Sequence, residues 1–139
     1  MRKQVIGILG GATAADVKSG LARVRAVLPQ LGFRAAEGLP GVVYLAHTLP
    51  SSGSYLSALA GLAPGAPLAY LVAPPVEAAL GLDAALKAAD VRLRLLFHPP
   101  TETNFSGGLL SGTESACRAA CAAFAAAVEA VAQTPIREN

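Results

Sequence analysis

A polar segment with two adjacent prolines separates two segments of strand length. The segment has the sequence FHPPTETNFS over residues 97–106, in which the prolines are Pro99 and Pro100. Each proline fixes φ and lacks a backbone N–H donor, so the segment suits neither a central strand nor the interior of a helix. The sequence therefore predicts an exposed turn of defined shape at this point.

Segments of strand length and helix length alternate along the rest of the chain. Short Val/Ile/Leu runs indicate buried strands, and apolar residues at helical spacing indicate amphipathic helices. Thr13 is predicted to cap the first helix, with Asp16 as its capping-box partner. Pro74 and Pro75 suit the first turn of a later helix, where a missing N–H has no cost. Strands are predicted at residues 4–9, 42–49, 68–72, 91–97 and 108–110, and helices begin at Thr13, at Ser54, at Pro74 and at Ser111 or Thr113.

The last two helices each have a predicted buried face. In the earlier one, apolar residues recur at Ala79, Leu82 and Leu86. In the final helix, Cys117 and Cys121 lie four residues apart on one side, a spacing that does not suit a disulfide. We expect both cysteines to be buried small residues. The face predicted for the final helix consists of Cys117, Cys121, Phe124, Val128 and Val131.

Length and composition predict one domain over residues 1–139. Hydrophobic residues make up 53% of the chain, charged residues make up 14%, and the formal net charge is +2. A chain of this length buries about two thirds of its unfolded surface. So small a charged fraction leaves much apolar surface on a monomer, which favours an oligomer.

Composition also argues against nucleic acid and membrane as partners. The near-neutral charge and the few aromatic residues provide neither a basic footprint nor a stacking platform for nucleic acid. Prolines interrupt the most hydrophobic stretch before it reaches the roughly 18 residues of a membrane helix. The amino terminus lacks the cleavage pattern of a secretory signal, so a cytoplasmic chain is expected. No motif indicates a cofactor or a metal site.

The residues themselves leave an enzyme open as an alternative. Residues 5–11, VIGILGG, look like the strand and glycine turn that open amino-acid racemases and many nucleotide-binding domains. A racemase needs two cysteines that face each other from different units, and a dinucleotide site needs a glycine spacing that is absent here. His47 and His98 lie in no recognised catalytic motif, so no catalytic residue is predicted. A trimeric α/β protein that senses small molecules is a further alternative.

Several motifs are spread over nearly the whole chain: the strand and helix of residues 6–28, YLAH at 44–47, GSYL at 53–56, AYLVAPP at 69–75, PPTETN at 99–104 and the helix at 117–124. In these motifs the chain resembles the bacterial microcompartment shell proteins, and within that family the carboxy-terminal half of the ethanolamine-utilisation type, EutL. The resemblance implies an α/β (α+β) fold, a single circularly permuted shell domain. Its sheet would be mostly antiparallel, with four or five strands flanked by helices.

The same resemblance implies a structural role rather than catalysis. Copies of the chain would form a cyclic hexamer, or a trimer-like assembly, and would tile a cytoplasmic shell together with other shell proteins. Small metabolites would pass through the central pore. EutL-type proteins join two such units in one chain, so a trimer of tandem units would here become a hexamer of single units.

The resemblance also assigns residues to sites. Lys87, in the motif DAALKAADV, matches a lysine at the tile edge, although a lysine near a helix end also simply complements the helix dipole. Phe33 corresponds to an aromatic residue near a smaller ligand-binding pore. Six copies around one axis would bring six Glu102 side chains near it and attract cations or polar molecules; alternatively Glu102 points away, and backbone and threonine line the ring. The expected pore lining is His98, Pro99, Pro100, Thr101, Glu102, Thr103, Asn104, Phe105 and Ser106.

Overall fold

A computed structural model describes residues 9–27, 32–37, 41–99, 101 and 103–134 of the 139-residue chain. The chain divides into two units, Met1–Gly32 and Phe33–Asn139. The first unit has one described helix, and the second contains the sheet. Every residue of the candidate site belongs to the second unit.

The first unit contains helix α1, Ala14–Val27. Its start is held by reciprocal hydrogen bonds: the Asp16 N–H donates to Thr13 Oγ1 over 3.2 Å, and the Thr13 N–H donates to Asp16 Oδ2 over 3.0 Å. This is the predicted capping box. The strand predicted at residues 4–9 lies outside the described residues except for Leu9, which is not in a strand.

The second unit is built on a five-stranded sheet. Its strands are β1 (Arg34–Ala35), β2 (Val43–Leu49), β3 (Leu68–Ala73), β4 (Arg92–Phe97) and β5 (Ser106–Ser111). Their order across the sheet is β1-β2-β3-β5-β4, and all neighbouring pairs are antiparallel. The four strands predicted within this unit are present, and β1 is an addition. The predicted α/β class with a mostly antiparallel sheet is confirmed.

Three helices lie between or after the strands: α2 (Ser54–Ala60), α3 (Pro75–Ala88) and α4 (Glu114–Gln133). Pro75 occupies the first turn of α3, as predicted. Helix α4 begins after Thr113, whose hydroxyl accepts a hydrogen bond from the Ala116 N–H over 3.2 Å. Of the two predicted starts, Thr113 is therefore right and Ser111 is wrong, because Ser111 is the last residue of β5.

Helices α3 and α4 cover one face of the sheet. Leu71 of β3, Leu110 of β5 and Phe124 of α4 are fully buried in this main core. The opposite face carries a smaller cluster, in which Leu68 and Leu109 pack with α2. The side chains of successive residues in β3 and β5 thus point to opposite faces of the sheet, as strand geometry requires. Strand β5 is buried on both faces, whereas β4 lies at one edge of the sheet.

The buried face of α3 differs from the predicted one. Leu82 is buried as expected, but Ala79 is exposed and Leu86 is 39% exposed. The packing instead uses small residues, because α3 lies close to α4 and a Cβ at Gly81 would stand 2.7 Å from Phe124 Cδ2. The buried residues of α3 are Ala78, Gly81, Leu82 and Ala85.

The buried face of α4 follows the prediction closely. Cys117, Cys121 and Val128 are buried as predicted, and both cysteines are free thiols. Val131 is only half-buried, and the adjacent Ala132 is buried in its place. By length and composition alone, α4 could cross a membrane, although the core helix of a soluble protein passes the same test. The prediction from the prolines that interrupt the most hydrophobic stretch overlooked α4, whose apolar side packs in the main core.

Candidate pore loop and tile-edge helix

The loop that joins β4 to β5 comprises residues 98–105 and lies at one end of the sheet. Its stems are paired, since Phe97 at the end of β4 lies opposite Gly107 of β5. Strand β5 is paired in turn with β3, and a Cβ at Gly107 would collide with the carbonyl oxygen of Leu71. This close approach therefore requires glycine, and it holds the base of the loop in place.

Thr101 closes the loop through its side chain. Its hydroxyl donates to the carbonyl oxygen of Phe105 over 2.7 Å and accepts from the Phe105 N–H over 3.1 Å. The backbone N–H of Asn104 donates to the Thr101 carbonyl oxygen over 3.1 Å, and Asn104 has a φ of 56°. Asparagine adopts this left-handed conformation more readily than most residues. The loop is consequently held by its own hydrogen bonds.

Side chains of the predicted pore lining differ in exposure. Ser106 is buried, and its hydroxyl donates to the carbonyl oxygen of Phe97 over 2.7 Å, so it braces the stem of the loop. Pro100 and Glu102 lie outside the described residues. The exposed members are His98, Pro99, Thr103 and Asn104, and the half-buried members are Thr101 and Phe105.

A cavity of about 180 Å³ lies at the base of the loop, between aromatic side chains. The ring centroids of Tyr70 and Phe97 are 5.9 Å apart. Phe33, predicted near a smaller pore, is 51% exposed, and its ring centroid lies 5.3 Å from that of Phe105. Both separations suit tilted aromatic pairs. Phe33 therefore contacts the candidate pore loop directly.

A long-range polar contact fixes the segment that follows Phe33. The backbone N–H of Glu37 donates to Glu129 Oε2 of α4 over 2.7 Å. Tyr44 of β2 lies opposite Arg34 in the strand register. The pKa of Tyr44 is raised, mainly because its side chain is buried and secondly because of the Glu129 carboxylate. Glu37 and Glu129 are 92 positions apart. No local sequence pattern pointed to this contact.

Lys87 lies in the last turn of α3. Its Nζ atom is 2.6 Å from Asp83 Oδ2, and the two side chains are 74% and 60% exposed. An exposed pair at this spacing contributes only about 0.3–0.5 kcal/mol, so the fold does not depend on Lys87. Its position near the carboxyl end of α3 complements the helix dipole and also leaves the ammonium group accessible to a neighbouring molecule.

Both cysteines are poorly suited to nucleophilic chemistry. Burial raises the pKa of Cys117, with the neighbouring Cys121 adding to the shift, and burial also raises the pKa of Cys121. A raised pKa keeps a thiol protonated, whereas the thiolate is the reactive form. Cys121 Sγ accepts a hydrogen bond from the Thr48 hydroxyl over 3.4 Å. Within the described part of the chain, no group of His, Cys, Asp and Glu side chains is arranged to hold a metal ion.

Several known proteins are similar to this chain in sequence. The chain is 53% identical over 134 residues to the bacterial microcompartment shell protein EutL of Clostridium perfringens, covering 96% of this chain and 62% of that protein. The chain thus spans less than two thirds of the length of this relative. No protein-family model matches this chain.

Solved structures share the fold. The crystal structure of the ethanolamine utilization protein EutL from Leptotrichia buccalis matches with a TM-score of 0.82 at 52% identity, covering 92% of this chain and 59% of that one. A fused permuted hexameric shell protein from the RMM microcompartment matches with a TM-score of 0.56 at 26% identity, covering 70% of this chain and 50% of that one.

Proposed function

The chain is homologous to the EutL bacterial microcompartment shell proteins, and from this premise we propose that it is a structural component of a microcompartment shell in the cytoplasm. The homology confirms the resemblance predicted from the sequence motifs. The observation that carries the proposal is 53% identity over 96% of the chain. The shared fold agrees with it, since the same helices and strands must be present for the same surfaces to form.

The unit of assembly in this proposal is a closed ring of six copies around one axis, each copy a permuted shell domain. Similarity to a fused permuted hexameric shell protein supports this arrangement. The edge strand β4 supports it too, because an open edge presents unpaired backbone groups that a neighbouring copy can cover. Leu93 of β4 is 41% exposed at this edge. A closed ring of identical contacts covers the backbone edge of β4 in every copy.

The loop at residues 98–105 lines the pore on the ring axis in this proposal, and small metabolites pass through it. Support comes from its closed, hydrogen-bonded shape and from the exposed polar groups of His98, Thr103 and Asn104. Six copies would also contribute six Glu102 carboxylates and favour cations. The ion selectivity of the assembled ring tests this: Glu102→Gln should lower the cation preference, whereas Glu114→Gln on α4 should not. Equal selectivity of both variants and the unchanged protein would remove the charged ring from the proposal.

Flat sheets of these rings form the shell, with Lys87 at the tile edge and other shell proteins as partners. The exposed ammonium group at the end of α3 supports this role. Electron microscopy of the purified chain should show two-dimensional arrays with six-fold rings. Particles without such rings at any protein concentration would contradict the assembly.

A non-catalytic role completes the proposal. The two cysteines lie on one helix face and are buried, so they are not the facing pair that a racemase requires. Their raised pKa values also keep them protonated at neutral pH.

A further inference from the structure

We propose that the chain has a second binding site, for a phosphate group, at the end of the sheet opposite to the candidate pore loop. A cavity of about 350 Å³ lies there, where β4 begins and β5 leads into α4. Its volume is at the lower end of the range for small-molecule sites. The polar side chains that line it are Asp90, Arg92, Arg94, Ser111 and Thr113.

Arginine and leucine alternate over residues 92–95, but a β-bulge in β4 interrupts the regular strand that this alternation would form. Leu93 lies opposite Leu110, and Leu95 lies opposite Leu109, so Arg94 is an extra residue without a partner in the register. Leu110 belongs to the main core and Leu109 to the smaller cluster on the other face. Leu93 and Leu95 therefore face opposite sides, although residues two apart in a regular strand share a side.

Two guanidinium groups, those of Arg92 and of the bulged Arg94, line one cavity. Arg92 lies opposite Ser111 in the register, and Arg94 Nε donates to Ser111 Oγ over 2.7 Å. Ser111 is only 8% exposed, so a buried acceptor fixes the direction of the Arg94 guanidinium. The bond to Ser111 uses one of the five N–H donors of the Arg94 guanidinium group. The two terminal nitrogens of that group remain available to a ligand.

Among the residues that the structure describes, neither arginine forms an ion pair. Across residues 9–27, 32–37, 41–99, 101 and 103–134, the salt bridges are Lys87–Asp83 and Arg118–Glu114. Two guanidinium groups on one cavity match the several acceptor oxygens and the double charge of phosphate better than a monovalent anion. Asp90 lines the same cavity and opposes the anion, so it limits the affinity.

Calorimetric titration of the assembled protein with inorganic phosphate, at an ionic strength held constant with sodium chloride, tests this site. We expect saturable binding that Arg92→Gln and Arg94→Gln each weaken about tenfold or more. Arg94→Lys should also weaken it, because an ammonium group cannot bond to Ser111 and present a planar fork. Asp90→Asn should tighten it through removal of a like charge.

Arg118→Gln is the matched control, because Arg118 is exposed on α4 and already paired with Glu114. It should leave phosphate binding unchanged, and circular dichroism should show every variant folded. A phosphate monoester of a small alcohol that binds more tightly than inorganic phosphate assigns the site to phosphorylated metabolites, whereas equal or weaker binding assigns it to free phosphate. No saturable binding, or an equal loss in Arg118→Gln, would overturn the site without affecting the proposed shell role.

Discussion

Gly81 of α3 lies directly against the ring of Phe124 of α4, where an added Cβ would stand 2.7 Å from Cδ2 and 2.8 Å from Cε2. Phe124 is fully buried, and in a close-packed core its ring cannot move aside without displacing its neighbours. The missing side chain thus sets the separation of α3 and α4. Because Lys87 lies near the end of α3, this contact also fixes the position of the proposed tile edge.

Gly81→Ala should destabilise the protein. Overpacking a core costs about 1–3 kcal/mol, and alanine recovers up to about 1 kcal/mol through its helix propensity. We expect a net loss of about 1–2 kcal/mol in the free energy of unfolding, measured by urea denaturation at one fixed chain concentration.

Two further variants make this measurement decisive. Gly10→Ala should have little effect, because a Cβ there meets no atom within 4 Å. In the double variant Gly81→Ala/Phe124→Leu, the smaller side chain should reduce the cost of the alanine. A Gly81→Ala protein as stable as the unchanged chain would show that α3 and α4 are not in this close contact.

Thr101→Val should loosen the candidate pore loop while leaving the sheet intact. It removes both side-chain hydrogen bonds to Phe105, each worth about 1 kcal/mol. Exchange of the Phe105 amide hydrogen should accelerate by about fivefold or more. Thr103→Val is the control, since within the described part of the loop its hydroxyl bonds to Thr101 Oγ1, over 3.3 Å, and not to the backbone. Equal exchange in all three proteins would mean that Thr101 does not close the loop.

Lys87→Ala should abolish the flat sheets without dissociating the rings. The Asp83–Lys87 pair is exposed, so the free energy of unfolding should change by less than about 0.5 kcal/mol. Electron microscopy reports the sheets, and sedimentation reports the rings. Arg118→Ala removes a comparable exposed pair on α4 and should leave sheet formation intact. Sheets that persist in Lys87→Ala would leave Lys87 with the dipole role alone.

Stability should decrease in alkaline solution. Burial raises the pKa values of Cys117 and Cys121 above the usual 9.0, so the folded chain keeps these protons to higher pH than the unfolded chain. Their contribution is complete below the unfolded pKa and is lost as the pH rises through the folded values. Urea denaturation between about pH 7 and pH 10 should show this decline. The Cys117→Ala/Cys121→Ala variant should show a shallower decline, and an identical slope would contradict the thiol contribution.

Most elements could be predicted from the sequence because their ends have strong local signals. Thr13 and Asp16 mark the start of α1, and Pro75 marks the start of α3. The cysteine spacing correctly predicted one buried face on α4. Resemblance of motifs, rather than periodicity, predicted the role of the loop, and the structure shows how Thr101 gives that loop its shape.

The remaining features depend on contacts between distant parts of the chain. The packed face of α3 uses Gly81 because Phe124, on another helix, occupies the space. The alternation of Arg92 to Leu95 reads as a regular strand, and only pairing with β5 reveals the extra residue at Arg94. Likewise, the bond between Glu37 and Glu129 forms only after the sheet and α4 have come together.

The mass of the particle in solution tests the central claim most directly. A closed ring of six copies should have about six times the 14.0 kDa mass of the chain, and native mass spectrometry or sedimentation should find that species over a wide range of concentrations. A particle of three copies would replace the hexamer with the trimer-like assembly. A chain that stays monomeric at high concentration would contradict the shell role altogether.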